Sequence, residues 1–203
     1  MDIIANLQNI MDDELAAVKY VESEIDAHRD DYKSVVAAIA QLKGNLIMMG
    51  VGKSGHIGKK LSATFASTGT PSFFVHATEA MHGDLGMITS DDLVVMISNS
   101  GETKECLAPL KPIHRIGAKI VAFTGEEKSS LAEDSDYLVL VKVKREADRF
   151  NLAPTNSSTA VLVTGDALAL TVSEIKGFSE KDFGMFHPGG SLGKRLLQEG
   201  ILK

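Results

Sequence analysis

The chain has 203 residues, 44% of them hydrophobic and 24% charged, with 18 Gly and 5 Pro. That balance suits a soluble globular domain with room for a core, and it excludes a disordered, collagen-like or low-complexity chain. A net charge of −6, from 21 basic and 27 acidic residues, excludes a generally basic nucleic-acid surface. The lone Cys excludes an internal disulfide and fits a reducing, cytoplasmic setting. One domain is expected over residues 1–203, with N-terminal helices in 1–43 and an α/β core in 44–203.

The N-terminus shows no signal-peptide pattern, because Asp2 follows Met1 and no basic region precedes an apolar run. Ile3, Leu7, Ile10, Met11, Leu15, Val18, Val21 and Ile25 recur every three or four residues and predict a helix with one apolar stripe. That stripe would suit a subunit interface. A second helix is predicted on Tyr32, Val35, Val36, Ile39 and Leu42, started by Asp30 and Asp31 and stopped by Gly44.

The rhythm then changes to short apolar runs at 46–49, 73–75, 93–97, 120–123 and 137–141. None alternates cleanly, as expected of strands buried on both faces of a parallel sheet. Helical stretches at 55–67 and 104–116 lie between strands, and a long apolar helix at 158–176 closes the domain. The fold class predicted is α/β, a three-layer sandwich with a parallel sheet of about five strands and an N-terminal helical extension. The weakly charged stretch 157–173, interrupted by Asp166, reads as a largely buried core helix too short to cross a bilayer. In such sheets ligands bind beyond the carboxyl ends of the strands.

After the first strand comes GVGKSGH, residues 50–56. Its glycines admit a ligand close to the backbone, and the helix that follows attracts an anion. A dinucleotide site needs an acid about 20 residues on, where Val75 and His76 stand. A P-loop needs Gly where Ile47 stands. A loop for a single phosphate, with Lys53 and Ser54 as added ligands, remains beside the bland reading of a Gly-rich turn.

After the third strand comes SNSGETKE, residues 98–105. One hydroxyl at a helix start is a cap, but Ser98, Ser100 and Thr103 together make a phosphate cradle. Glu105, one turn into that helix, can face a ligand or stay solvated. Cys106 reads as a small buried residue without an adjacent His. His76, His82 and Asp84 offer at most a weak metal set, since no CxxC or paired His supports one. His187 precedes the rigid turn of FHPGGSLG, which fixes its place without assigning a role. The polar loop NLAPTNSST, 151–159, could close over a ligand.

GVGKSGHIGKK, ASTGTPSFFVHATEAMHGDLGM, SNSGETKE, NLAPTNSSTA, GDALAL and FHPGGSLGKRLL together resemble the arabinose-5-phosphate isomerases of the sugar isomerase (SIS) domain superfamily. The likeness runs from about residue 45 to 197; the N-terminal helices carry no motif. It implies interconversion of D-arabinose 5-phosphate and D-ribulose 5-phosphate through an enediol, supplying Kdo for lipopolysaccharide or capsule. It also implies a cofactor-free reaction and a homotetramer whose sites draw on more than one subunit; from the residues themselves no metal site is expected. The family's catalytic residues fall on Lys53, His82, Glu105 and His187, and its phosphate-binding hydroxyls on Ser54, Ser98, Ser100 and Thr103. Gly52, Asn99 and Thr155, from the same loops, complete the expected substrate contacts. Many members continue into a pair of CBS domains, whereas this sequence ends at Lys203, so regulation through such modules is expected to be absent. Met81 stands where the family often has a small polar residue.

Glu105 is the expected carbon base, Lys53 the group that stabilises the enediolate, and the histidines the carriers of oxygen-bound protons. Two alternatives stay open. One is a sensor that binds a sugar phosphate without reacting; the acidic N-terminal helices argue against a DNA-binding version. The other is an isomerase for a different sugar, since motifs at the phosphate end do not measure sugar length.

Overall fold

The computed structural model describes residues 1–201. Helix α1, Ile3–Glu24, is capped by the Asp2 carboxylate, which accepts from the amides of Ile4 and Ala5. A 3-10 turn, Ile25–His28, leads into α2, Arg29–Ala40. Asp30 and Asp31 therefore lie inside the first turn of α2, with His28 at the cap position. Gly44 does not stop this helix either. It lies beyond the C-cap Gln41, and its amide donates to the Asp91 carbonyl at 3.1 Å.

Five strands follow: β1 Leu46–Gly50, β2 Ser72–His76, β3 Leu93–Ile97, β4 Lys119–Thr124 and β5 Tyr137–Leu140. They form one all-parallel sheet in the order β2-β1-β3-β4-β5. The connections are α3 Gly52–Ser67, α4 Ala77–Ala80, α5 Lys104–Leu107, α6 Leu110–Ile116 and α7 Ser130–Glu133. After β5 come α8 Asn156–Ile175, α9 Glu180–Phe186 and α10 Ser191–Gln198. The helix predicted over 104–116 is broken in two, with Pro109 as the N-cap of the second piece. Proline has no N–H to continue the helical ladder.

The sheet is covered on both faces, which is why its strands read as unbroken apolar runs. Leu46 and Met48 point toward α2, α3 and α8, in a core with Leu61, Phe65 and Val172. Ile47 and Met49 point the other way, toward Cys106, Leu110 and Ile113. Helix α8 is buried along one face only, since Val163, Leu170 and Ile175 are exposed. By length and composition it could cross a membrane, contrary to the shorter apolar content read from the sequence. Here it packs on α3 and α1.

Candidate active site

The strand order sets the place of the site. The chain steps from β1 outward to β2, then returns past β1 to β3, so the connections leaving β1 and β3 diverge and open a crevice. Gly50 ends β1, and Gly52, at φ +54°, turns the chain into α3. The N-cap Val51 makes no side-chain cap bond, so the first-turn amides of this 16-residue helix face the crevice without a capping side chain.

On the β3 side, Ser98 is buried and its Oγ donates to Thr103 Oγ1 at 3.2 Å. The Glu102 amide donates to Ser100 Oγ at 3.2 Å. Thr103 occupies the N-cap of α5 yet makes no side-chain cap bond, so capping does not account for its hydroxyl. Ser129, one connection away, does cap, accepting from the Ala132 amide.

These loops enclose a cavity of about 320 Å³ lined by Lys53, Ser54, Ser98, Asn99, Ser100 and Thr103. A neighbouring cavity of about 310 Å³ shares Lys53, Ser54, Asn99 and Pro154 with it. Its far wall is Lys144, Arg145, Glu146 and Asn151, from the connection between β5 and α8, with Ser157 in the first turn of α8. The first cavity is a set of hydroxyls and amides suited to a phosphate. The second adds apolar Ile57, Val143 and Val161 to groups of both charges, the kind of mixture that orients a polar small molecule.

Glu146 is the residue that sequence reasoning missed. In KREADRF it looks like one acid of a solvated charged turn. The fold buries it under the start of α8, where its carboxylate accepts from the Thr155 amide at 2.9 Å, the Ser157 amide at 3.1 Å and the Ser157 hydroxyl. The rest of the wall is tied down in the same way. Amides of Ala153, Leu152 and Phe150 donate to Asp148 and hold its carboxyl below the usual range. Asn151, at φ +57°, accepts the Glu146 amide through its side chain at 2.6 Å. Arg145 Nε donates to the Glu146 carbonyl at 2.9 Å. Local sequence carried no sign of this, because the donors come from residues up to 11 positions away.

Of the predicted site residues, Lys53, Ser54, Ser98, Asn99, Ser100 and Thr103 come together. Gly52 stands at the mouth of α3 beside them. Thr155 lines neither cavity; its hydroxyl accepts the Ala147 amide at 2.9 Å and lies 3.2 Å from Glu146. Glu105 lies exposed in the first turn of α5, two residues beyond Thr103, and also lines neither cavity. The burial expected around a tuned carboxylate base is therefore not supplied within one protomer. His82 is exposed on the turn after α4. His187 stacks on Phe183 at 4.0 Å between ring centroids. Its Nδ1 donates to the Phe183 carbonyl at 2.8 Å, and among the described residues Nε2 has no hydrogen-bond partner. Neither His reaches the cavities of its own chain.

Cys106 is buried, and burial pushes its thiol up to about 11. That agrees with a packing role and excludes a ready thiolate. His76 is occupied as the cap of α4, accepting the Thr78 amide at 3.3 Å. Among the described residues no three His, Cys, Asp or Glu side chains are grouped as a metal site would require.

A doubly wound parallel sheet with a hydroxyl-rich pocket at its switch point defines an α/β protein with a cavity suited to an anion. The SIS domain family matches residues 38–171, two-thirds of the sequence, and the chain belongs to that family. It is 54% identical over 155 residues to the arabinose 5-phosphate isomerase KdsD of Escherichia coli K12, a stretch covering 76% of this chain and 47% of that protein. Against the protein of the same name from Pseudomonas aeruginosa it is 46% identical over 197 residues, covering 97% and 60%. The chain thus spans about half the length of these curated relatives. Among solved structures, "E. coli CFT073 c3406 in complex with A5P" superposes with a TM-score of 0.88 at 50% identity, covering 92% of this chain and 98% of that one.

Proposed function

We propose that this chain is a single SIS domain that interconverts D-arabinose 5-phosphate and D-ribulose 5-phosphate, in the cytoplasm and toward Kdo. The observation that carries the reading is the cradle of Ser98, Ser100 and Thr103 facing Lys53 and Ser54 across the β1–β3 crevice. Relatives bearing the isomerase name and a complex with A5P at 50% identity support it.

The phosphate binds in the cradle with Gly52, Ser54 and Asn99, and the open-chain sugar extends past Lys53 toward the Arg145–Glu146 wall. Thr155 holds that wall in place through Glu146. Glu105 removes the proton from C2 of the aldose, and the electron pair moves to the aldehyde oxygen. Lys53 stabilises the enediolate formed. The carboxylic acid of Glu105 returns the proton to C1, while an imidazole, of His187 or His82, moves the remaining proton from the C2 oxygen to the C1 oxygen. Atoms and electrons balance within the sugar, so the step calls for no external oxidant or reductant.

The reacting end of the site needs a second copy of the chain. His82, Glu105 and His187 line neither of the two crevice cavities of their own protomer. Apolar side chains at Ile3, Leu7, Met11 and Leu15 on α1, and at Met185 and Phe186 on α9, are exposed. We assign these faces to the contacts of a homotetramer that brings the histidines to a neighbour's cradle.

The test is direct assay of the purified chain with arabinose 5-phosphate in the presence of EDTA, following ribulose 5-phosphate by NMR. Turnover that Glu105→Gln lowers on the order of 10²–10⁴-fold supports the isomerase and its base. Near-normal turnover of that variant would move the base to another residue. Saturable binding without turnover would establish a sensor or a different sugar.

A further inference from the structure

Glu102 is out of place by charge alone. It is a second acid in the loop that, on the reading above, receives a phosphate dianion, and an idle carboxylate there repels that ligand. The structure gives the carboxylate an occupation. One oxygen accepts the Ser130 amide at 2.7 Å and the other the Ser130 hydroxyl at 2.9 Å. Ser130 is the first residue of α7, on the connection between β4 and β5. The grip joins two connections that are 28 residues apart in sequence.

Other bonds fasten the same loop to the same neighbour. The Leu131 amide donates to the Gly101 carbonyl at 3.1 Å, and the Gly125 amide to the Asn99 carbonyl at 2.9 Å. Gly101 sits at φ +64°, and a Cβ there would lie 2.1 Å from Ser129 Oγ. The backbone of the loop is thus pressed onto the β4–β5 connection, with Glu102 at the outer end of the seam. The residue stands between the cradle hydroxyls of Ser100 and Thr103, and its own amide orients Ser100 Oγ.

We propose that Glu102 is a positioning residue for phosphate recognition. Its carboxylate grips Ser130, which sets the spacing of the Ser100 and Thr103 hydroxyls and turns the negative charge away from the bound phosphate. The proposal rests on the phosphate assignment above, not on the identity of the sugar. Glu102 touches no reacting atom; it acts through Ser130 and the loop.

The test is steady-state kinetics of the full chain with arabinose 5-phosphate for Glu102→Ala, Glu102→Gln, Ser130→Ala and the Glu102→Ala/Ser130→Ala pair, with binding of inorganic phosphate measured alongside by ³¹P NMR. For Glu102→Ala and for Ser130→Ala, KM should rise on the order of tenfold while kcat falls by less than about threefold. Phosphate should weaken in parallel. The double variant should be no worse than either single, because both remove the same grip. Glu102→Gln should stay within about threefold of the parent, since its carboxamide can accept the Ser130 amide and donate to the hydroxyl. The idea is overturned if Glu102→Ala leaves KM and phosphate binding unchanged, if Gln fails to rescue, or if the single effects multiply in the double. A variant that only melts earlier, with KM unmoved, also overturns it. Should the parent bind phosphate but turn over no arabinose 5-phosphate, the isomerase reading falls, and the phosphate titrations still judge the grip.

Discussion

At the β1–β3 crevice the polar groups find partners within one chain: Ser98 on Thr103, Glu102 on Ser130, Glu146 on Thr155 and Ser157. Along the first turns of α1 and the exposed face of α9, apolar side chains stand in solvent. The two regions follow the same packing physics with different completeness. The hydroxyl-lined end of the crevice is complete within one protomer, because hydroxyl and amide donors come from loops fixed at the strand ends. His82 and His187, the proton carriers of the proposed reaction, sit on peripheral elements and line neither crevice cavity.

The largest expected effect tests that division. Lys53→Met should lower kcat on the order of 10²–10³-fold, and His187→Asn comparably, each alone. If the sites are shared, mixing and reassembling the two inactive proteins regenerates sites with both residues native, and activity returns. Unrestored activity in a mixture shown to exchange subunits would place His187 in its own chain's site.

The next effect breaks the periphery alone. Leu7→Glu with Leu15→Glu puts charge on the exposed apolar side of α1. Analytical ultracentrifugation should show a smaller species with the far-UV circular dichroism retained. Turnover should fall at least about tenfold while phosphate still binds the crevice. An unchanged sedimentation coefficient would remove α1 from the interface.

A smaller effect belongs to the opposite end of the sheet. Burial pushes the Asp92 carboxyl up, but amide and side-chain bonds from Asn45 and Thr89 outweigh it and hold the group below its ordinary range. A depressed carboxyl stabilises the fold above its unfolded pKa, and that contribution fades as pH drops through the folded value. Asp92→Asn should therefore cost about 1–3 kcal/mol near neutral pH. In chemical denaturation the gap from the parent should narrow as the pH is taken below about 4. A gap constant with pH would mean that the charge is not the source.

The smallest effect is at Cys106. With the thiol pushed up to about 11 and buried, iodoacetamide at pH 8 should leave the folded protein unlabelled, and Cys106→Ala should keep most of its turnover. Rapid labelling would show that the β3–α5 junction opens.

Period and punctuation alone gave the strands to within a residue or two at each end, because a strand buried on both faces must be apolar throughout. The cradle hydroxyls were legible for a related reason: Ser98, Ser100 and Thr103 lie within one loop, so spacing along the chain is spacing in space. Glu146 was illegible because its partners arrive from the far side of a connection, and Gly44 misled because a glycine that meets the Asp91 backbone reads in sequence like a helix stop.

By itself, then, the amino-acid sequence determined the layers, the strand count and the grouping of hydroxyls in the loop after β3, all consequences of local pattern and short-range geometry. Tertiary structure decided the strand order that opens the crevice, the burial of Glu146 and the grip of Glu102 on Ser130. It also decided which apolar faces one chain leaves uncovered. Those outcomes depend on which distant segments meet, and contact between distant segments is settled by packing rather than by any window of residues.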